Sequence, residues 1–193
     1  WLQPQWPAPA GVRALCTTRA GGVSTGPCAS LNLGSHVGDD PSAVQANRQR
    51  LQAVVQGATP GARAVFLNQV HGTAVATINP ATPDGTEADA CVATQPGAVC
   101  TIMVADCLPV LLAHGSGAVV GAAHAGWRGL AGTGGVGVLE AVFERFKALV
   151  LSDKALAAIK NEANGMLAAH TMAWLGPCIG PTAFEVGAEV REA

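Results

Sequence analysis

The apolar residues of this chain fall into short runs separated by glycine- and proline-rich breaks. Several runs between residues 62 and 126 are apolar at consecutive rather than alternate positions, which is typical of strands covered on both faces. The pattern therefore predicts a layered α/β fold with strands in six segments: 62–70, 73–78, 88–94, 98–107, 109–114 and 118–126.

Helical spacing of apolar residues is found in three further segments. Residues 40–56 begin with Pro41 near the start, end before Gly57 and predict a helix with inward Val44, Leu51, Val54 and Val55. Residues 129–150 predict one glycine-led helix whose inward positions are Val138, Val142, Phe143, Phe146 and Val150. The amphipathic stretch 154–167 extends this helical region.

Both ends of the chain carry weaker patterns. Residues 12–19 predict a strand that leads into a glycine-rich loop, after which residues 30–34 continue in extended form. Residues 171–181 predict a final strand ending in a Gly/Pro turn, and 184–193 predict a helix. No low-complexity linker divides the sequence, so we expect a single domain over residues 1–193.

Charge and hydropathy exclude two classes of partner. The net charge is −2 and the basic residues are scattered, which argues against nucleic-acid binding. No apolar run reaches the roughly 20 residues of a membrane span. The chain opens without a signal-peptide pattern, so we expect a cytoplasmic location, and without Met, which suggests a processed start.

Three potential metal ligands stand at abrupt strand ends: His71 in NQVHG, Cys107 in VADCLP and His124 in AAHAGWRG. A rigid sheet can hold side chains at strand ends while one side stays open. One thiolate and two imidazoles suit zinc, and three protein ligands leave a fourth position for a reactive water. The sequence thus predicts a zinc site of the catalytic type.

Each of the three residues also has a simpler interpretation. His71 could bond a backbone carbonyl in a turn, Cys107 could belong to the core, and His124 could cap a strand. Asp106 points away from Cys107 in a regular strand, so it either supports the site through a bend or is solvated. The GTGGVG stretch at 132–137 lacks the spacing of a phosphate-binding glycine motif.

Seven blocks carry a resemblance to a known family: TTRAGGVS, SLNLGSHVGDDPSAVQANR, NQVHG, ADACVAT, ADCLPVLL, AHAGWRG and GPCIGPTAFEVG. In this order they resemble the YfiH-type laccase-domain family, also called the multicopper polyphenol oxidase family. The resemblance covers almost the whole chain. It implies layered mixed β-sheets flanked by helices and a zinc site at His71, Cys107 and His124.

The resemblance also implies an activity, namely phosphorolysis of adenosine, inosine and methylthioadenosine together with adenosine deamination. Members of the family usually continue past the EVG block, so we expect this chain to lack the usual C-terminal segment of the family. Multicopper oxidase chemistry needs about four coppers with mostly imidazole ligands. Five histidines in the whole chain cannot supply them, which excludes a true laccase.

Several polar residues are candidates for binding a purine nucleoside and phosphate. Guanidinium groups suit a phosphate dianion, which suggests Arg19 and Arg128, although either could be a solvated surface group. Asn32 and His36 could bond ribose or base, and His36 could transfer a proton, whereas Asn32 could equally stabilise a turn. Trp127 could stack on a base or pack as a lid.

Arg48, on the first predicted helix, is expected to be structural and to pair with Asp39, Asp40 or a backbone carbonyl. No role follows from the sequence for His114 or His170. Both lie outside the blocks that carry the candidate ligands.

Two other function classes fit the same residues. Cys107 could be the nucleophile of a metal-free hydrolase, such as an amidase of peptidoglycan precursors, with His71 or His124 as its base. A non-catalytic binding module would instead close its zinc site with a fourth protein ligand.

Overall fold

A computed structural model describes residues 1–152 and 169–192. Its strands are β1 (Arg63–Phe66), β2 (Val75–Thr77), β3 (Ala90–Ala93), β4 (Ala98–Thr101), β5 (Leu108–His114), β6 (Val120–Ala125) and β7 (Thr171–Leu175). Its helices are α1 (Pro41–Ala58), α2 (Trp127–Ala131), α3 (Val138–Ser152) and α4 (Ala188–Arg191). Each of the six predicted central strands is present, and all but β5, which begins one residue earlier than predicted, are shorter than their apolar runs.

The strands form two sheets. β1 and β4 pair in parallel, and the larger sheet has the order β2-β3-β6-β5-β7. In this larger sheet only β2 and β3 run parallel, while the other neighbouring strands are antiparallel. The mixed, layered α/β architecture expected from the sequence is therefore confirmed.

The layers explain why the strands are apolar at consecutive positions. On β3, Ala90 and Val92 face the core beneath α3, whereas Cys91 and Ala93 face the β1–β4 sheet. α1 covers the far side of that smaller sheet, where Leu51 and Val55 pack with Phe66. The order of layers is thus α3, large sheet, small sheet and α1.

Helix α1 begins one residue after its cap. The Asp40 side chain accepts a hydrogen bond from the Ser42 backbone N–H, and Pro41 occupies the first turn, where its missing N–H costs nothing. Val44, Leu51 and Val55 are buried, as predicted. Val54 is exposed, because its spacing from Val44 carries it off the buried face.

The strand predicted over residues 12–19 is wrong. This segment forms only an isolated bridge between Cys16 and Leu2. The opposing segment contains Pro4, Pro7 and Pro9, which lack the N–H groups that a ladder requires. Residues 30–34 likewise lie in a loop rather than in a strand.

The single helix predicted over 129–150 is also wrong, because the chain forms α2 and α3 with a turn between them. Gly132 ends α2 with a φ of 64°, in the left-handed region that interrupts a right-handed helix. In α3, Val138, Val142, Phe146 and Val150 are buried, and Phe143 packs partly buried against the same core.

The predicted helical stretch 154–167 lies outside the described residues. The predicted C-terminal helix is represented by the short α4. Among residues 1–152 and 169–192, the helices are all too short or too polar to cross a membrane.

Candidate metal centre

The three predicted ligands come together at one end of the large sheet. His124 is the penultimate residue of β6, Cys107 directly precedes β5, and His71 lies in the loop after β1. One potential ligand atom from each residue lies within 4.8 Å of the other two. The structure thus brings together side chains that are 36 and 17 positions apart in sequence.

The distances fit a metal ion of the size of zinc. His71 Nε2 is 3.8 Å from Cys107 Sγ. Tetrahedral bonds to zinc place a nitrogen and a sulfur ligand about 3.6 Å apart, given bond lengths of about 2.1 and 2.3 Å. The donor set of two imidazoles and one thiol, with this spacing, is compatible with a metal ion such as zinc.

Antiparallel pairing of β5 with β6 explains part of this convergence. Leu108 pairs with Ala125, so the residues just beyond, Cys107 and Gly126, face each other where the strands part. A Cβ atom on Gly126 would lie 3.1 Å from Cys107 Sγ and 2.8 Å from His71 Cδ2. Position 126 must therefore be glycine for both ligands to occupy their places.

Asp89 orients His124 from beneath the site. Its carboxylate Oδ1 lies 2.9 Å from His124 Nδ1, and the side chains of Asp89 and His124 are 0% and 5% exposed. Bonded in this way, Nδ1 carries the proton and Nε2 presents its lone pair to an ion. Asp89 thereby selects the tautomer of His124 that can bind a metal.

The same carboxylate also shapes the loop that carries His71. It accepts hydrogen bonds from the backbone N–H groups of three successive residues, Val70 at 3.1 Å, His71 at 2.8 Å and Gly72 at 2.7 Å. His71 has a φ of 62°, a left-handed conformation that non-glycine residues seldom adopt. The three bonds hold this backbone against its intrinsic preference.

Gln69 fixes the loop from the other side. Its side-chain amide donates to the Met103 carbonyl at 2.7 Å and accepts from the Met103 N–H at 2.8 Å. This pair of bonds ties the His71 loop to the segment that leads to Cys107. The spacing between the two ligands therefore depends on Gln69.

The Cys107 thiol is half-buried, and its surroundings disfavour the thiolate. Burial and, after it, the nearby Asp106 raise the pKa of Cys107 above its ordinary value. A bound cation would oppose both effects and favour the thiolate. Asp106 is exposed but contacts the thiol across a bend, so it lies beside the site rather than away from it.

The residues predicted to contact the substrate lie on other parts of the chain than the three metal ligands. Arg128 is exposed on α2, two residues after Gly126, and its guanidinium lies 4.3 Å from the centre of the Trp127 ring. Arg19 donates to the backbone carbonyls of Ala29 and Pro27. Its Nε and one terminal nitrogen therefore hold the 19–30 loop.

Asn32 and His36 lie in the loop before α1. The Asn32 amide donates to Asp39 Oδ2 and to the Gly34 carbonyl, so this side chain stabilises the turn. His36 is exposed in the same loop. Hydrogen bonds from Asn32 and Ser24 lower the pKa of Asp39, which keeps this carboxylate charged.

Arg48 is structural and bonds a backbone carbonyl, one of its expected partners. Its Nε donates to the Leu33 carbonyl at 2.9 Å, and its guanidinium lies 4.0 Å from the centre of the Phe66 ring. Asp84, at 3.9 Å, is its acidic neighbour, rather than Asp39 or Asp40.

The sequence reasoning missed Asp89 and Gln69. Asp89 could have been noticed, since it is a charged residue within the otherwise apolar run ADACVA. Gln69 carries no such signal, because an amide in a loop is ordinary. Both act on the site through hydrogen bonds to residues distant in the sequence, which leave no spacing pattern in it.

Comparison with known proteins gives a consistent result. Residues 13–193 match the model of a family described as multi-copper polyphenol oxidoreductase laccase. A purine nucleoside phosphorylase of Pseudomonas aeruginosa is 48% identical over 193 residues, which is 100% of this chain and 68% of that protein. The Escherichia coli purine nucleoside phosphorylase YfiH is 47% identical over 192 residues, covering 100% of this chain and 69% of that protein.

A solved structure shows the same fold. The crystal structure of a Neisseria meningitidis protein superposes with a TM-score of 0.80 at 42% identity, covering 99% of this chain and 68% of that one. This chain therefore spans about two thirds of the length of these relatives.

Proposed function

This chain belongs to the multi-copper polyphenol oxidoreductase laccase family, and from that membership and its site we propose that it is a zinc-dependent purine nucleoside phosphorylase. The observation that carries the proposal is the convergence of His71, Cys107 and His124 on one point. Relatives named purine nucleoside phosphorylase match over the full length of the chain and support the substrate class.

The three side chains would hold the metal and leave one face of it open. Among the residues that the structure describes, the cluster contains three potential ligands, one fewer than a closed tetrahedral site requires. When bound, zinc would polarise an oxygen atom of a reactant and stabilise negative charge on it. An open position favours an enzyme over a module that holds zinc for structure alone.

Phosphorolysis needs a phosphate oxygen to form a bond to C1′ of the ribose while the bond from C1′ to the purine nitrogen breaks. The electron pair of that bond goes to the purine, which takes up a proton as it leaves. Arg128 is the exposed guanidinium nearest in sequence to the ligands and would neutralise the phosphate. Trp127, which already stacks on Arg128, would limit the motion of that side chain.

The remaining predicted contacts are assigned smaller roles. His36 is exposed and would bond the ribose or base or pass a proton to a reactant. Arg19 and Asn32 would act indirectly, because their hydrogen bonds shape the loop on which His36 stands. The proposal extends to adenosine, inosine and methylthioadenosine as substrates and to adenosine deamination, which the family resemblance implies. It also includes a cytoplasmic location.

A Cys–His hydrolase is the alternative that one contact favours, namely the 3.8 Å approach of Cys107 to His71. The raised pKa of Cys107 argues against it, since a protonated thiol is a poor nucleophile. The buried Asp89 would orient His124 in a zinc site and in a metal-free hydrolase alike, so it does not distinguish the two functions. The two functions are best separated by experiment.

The test is metal content together with turnover of adenosine and inosine, with and without phosphate. We expect about one zinc per chain and phosphate-dependent release of base. His124→Ala should remove both, whereas His170→Ala, which changes an exposed histidine of another loop, should remove neither. Turnover that survives a chelator but is lost on alkylation of Cys107 would replace the proposal by the hydrolase.

A further inference from the structure

We propose that Cys107 and Cys178 form a reversible disulfide when the protein meets a peroxide, and that this bond removes Cys107 from the metal site. The two cysteines are 71 positions apart in a chain that has six. The pairing of β5 with β7 and the chain just beyond it bring them together. The cross-link rests on backbone geometry alone; only its effect on metal binding rests on the proposed function.

The register of the sheet places the two residues opposite each other. β5 and β7 are antiparallel, and their ladder ends at the pair Val110 and Leu175. Cys107 lies three positions before Val110, and Cys178 lies three positions after Leu175. Continued past its last pair, the same register matches Cys107 with Cys178.

Two hydrogen bonds show that the segments stay together beyond the ladder. The Gly176 N–H donates to the Pro109 carbonyl at 2.9 Å, and the Ile179 N–H donates to the Asp106 carbonyl at 2.9 Å. The two bonded pairs lie three positions apart rather than the two of a regular ladder, because the chain bends at residues 105–107. The two segments nevertheless stay adjacent, and the pair of cysteines lies between the two bonds. A Cβ atom on Gly176 would lie 2.7 Å from Pro109 Cγ, which confirms the close approach of the two segments.

This placement suits a disulfide. Directly opposite residues of antiparallel segments have Cα atoms about 4.5–5.5 Å apart. Disulfides span Cα separations of about 4.4–6.8 Å. Pro109 and Pro177 have no N–H to complete the ladder here, so the segments are joined by fewer bonds and can adjust to the geometry of the bridge.

Exposure decides which thiol reacts first. Cys178 is exposed, whereas Cys107 is half-buried. The Cys178 sulfur attacks the peroxide O–O bond, becomes a sulfenic acid and releases water or an alcohol. The Cys107 sulfur then attacks that sulfenic sulfur, the S–S bond forms and a second molecule of water leaves. Two thiols are oxidised and one peroxide is reduced.

The bond would change the metal site because Cys107 supplies the one sulfur ligand found there among the described residues. A disulfide sulfur carries no negative charge and binds zinc poorly, since the thiolate is the metal-binding form. Two imidazoles would remain, which is fewer than the three protein ligands of an open zinc site. Reduction by a thiol would restore the site.

The experiment treats the full chain with hydrogen peroxide after removal of metal, blocks free thiols and cleaves without reductant. A protease that cuts before aspartate releases a fragment starting at Asp106, whose single cysteine is Cys107, and one starting at Asp153, whose single cysteine is Cys178. We expect a linked pair of these fragments that lacks two hydrogens. Dithiothreitol should separate them.

Two variants and a metal measurement complete the test. Cys178→Ser should yield no linked fragment, whereas Cys28→Ser, a half-buried cysteine of another loop, should yield it as the parent does. Single oxidation of each thiol without linkage, or linkage to other cysteines, would overturn the proposal. Linkage that leaves zinc binding intact would contradict the metal-site consequence and count against the zinc ligand role of Cys107.

Discussion

At the scale of single residues, the site depends most on a side chain that is fully buried beneath it. Asp89 is fully buried and accepts bonds from three backbone N–H groups and from His124. One carboxylate therefore sets both the conformation of the His71 loop and the tautomer of His124. A buried charge is tolerated here because each of these donors offsets part of its lost hydration.

Asp89→Asn should weaken zinc binding by about 10- to 100-fold, because an amide cannot accept all four bonds. A competition titration against a chromophoric chelator measures this. Asn47→Ala is the control, because the Asn47 side chain is also fully buried. It donates hydrogen bonds to the Ser24 hydroxyl and to the backbone carbonyls of Ser30 and Asn32 in the N-terminal loop. The substitution should lower stability but leave zinc affinity unchanged; equal effects on affinity would mean that Asp89 acts only through stability.

Gly126→Ala should weaken zinc binding by about tenfold, equivalent to about 1.4 kcal/mol. The new methyl group would displace His71 and Cys107, which lie 2.8 and 3.1 Å from its position. The backbone itself can accept alanine, because Gly126 has a φ of −74°.

Gly57→Ala is the matched control for this substitution. Gly57 lies in α1, and a Cβ atom there meets nothing within 4 Å. The change should stabilise the protein by at most about 1 kcal/mol and leave zinc binding as it was. Unchanged zinc affinity in Gly126→Ala would show that His71 and Cys107 can move aside. The close contacts at position 126 would then not determine where the two ligands lie.

At the scale of elements, two glutamines make the same pair of backbone bonds at different places. Gln69 bonds both groups of Met103 and joins the His71 loop to the approach to Cys107. Gln52 bonds the Ala62 carbonyl and the Ala64 N–H along the free edge of β1. The two glutamines can therefore be compared directly, because the bonds of Gln69 position the metal ligands and the bonds of Gln52 stabilise the fold away from the site.

Gln69→Ala and Gln52→Ala should each lower the free energy of unfolding by about 1–3 kcal/mol, because each leaves backbone groups without their partner. Only Gln69→Ala should also weaken zinc binding. Urea unfolding of the metal-free chain and zinc titration of the folded chain measure the two effects. If Gln52→Ala weakened zinc binding as much as Gln69→Ala does, the effect of Gln69 would come from the stability of the fold rather than from its bonds to Met103.

The elements also show what pattern reasoning can and cannot predict. The six central strands were predictable because each is covered on both faces, which imposes a long apolar run. The predicted strand at 12–19 is absent because the prolines opposite it supply no donors, and strand formation depends on a partner as well as on the segment itself. The break between α2 and α3 was hidden by apolar spacing that continues across the glycines.

At the scale of the whole molecule, the metal would join parts of the chain that fold as different elements. The three ligands come from the loop after β1, the start of β5 and the end of β6. An ion held by all three binds the folded state and not the unfolded chain, so it shifts the folding equilibrium by mass action.

Zinc at about 100 times its dissociation constant should stabilise the fold by about 2.7 kcal/mol. For a domain of this size that corresponds to a rise in Tm of about 5–11 °C. A thermal scan with zinc, and again with a chelator in excess, measures the shift. His124→Ala should show no rise, and a parent protein that melts at one temperature in both conditions would contradict the metal site.

Local features of this protein follow from its amino-acid sequence. Apolar runs predicted the buried strands, helical spacing of apolar residues after Pro41 predicted α1, and abrupt strand ends marked His71, Cys107 and His124. Its ordered motifs identified the family. These features are readable because each depends on the residue and its near neighbours, through side-chain burial, capping and turn formation.

How those parts meet follows from the tertiary fold and cannot be read from the sequence. The bonds of Asp89 join residues 18 and 35 positions apart, and Gln69 bonds a residue 34 positions away. The pairing of β5 with β7 brings together the segments that carry Cys107 and Cys178. The physical reason is that such contacts depend on strand order and register, which arise from the packing of the whole core and leave no local pattern in the chain.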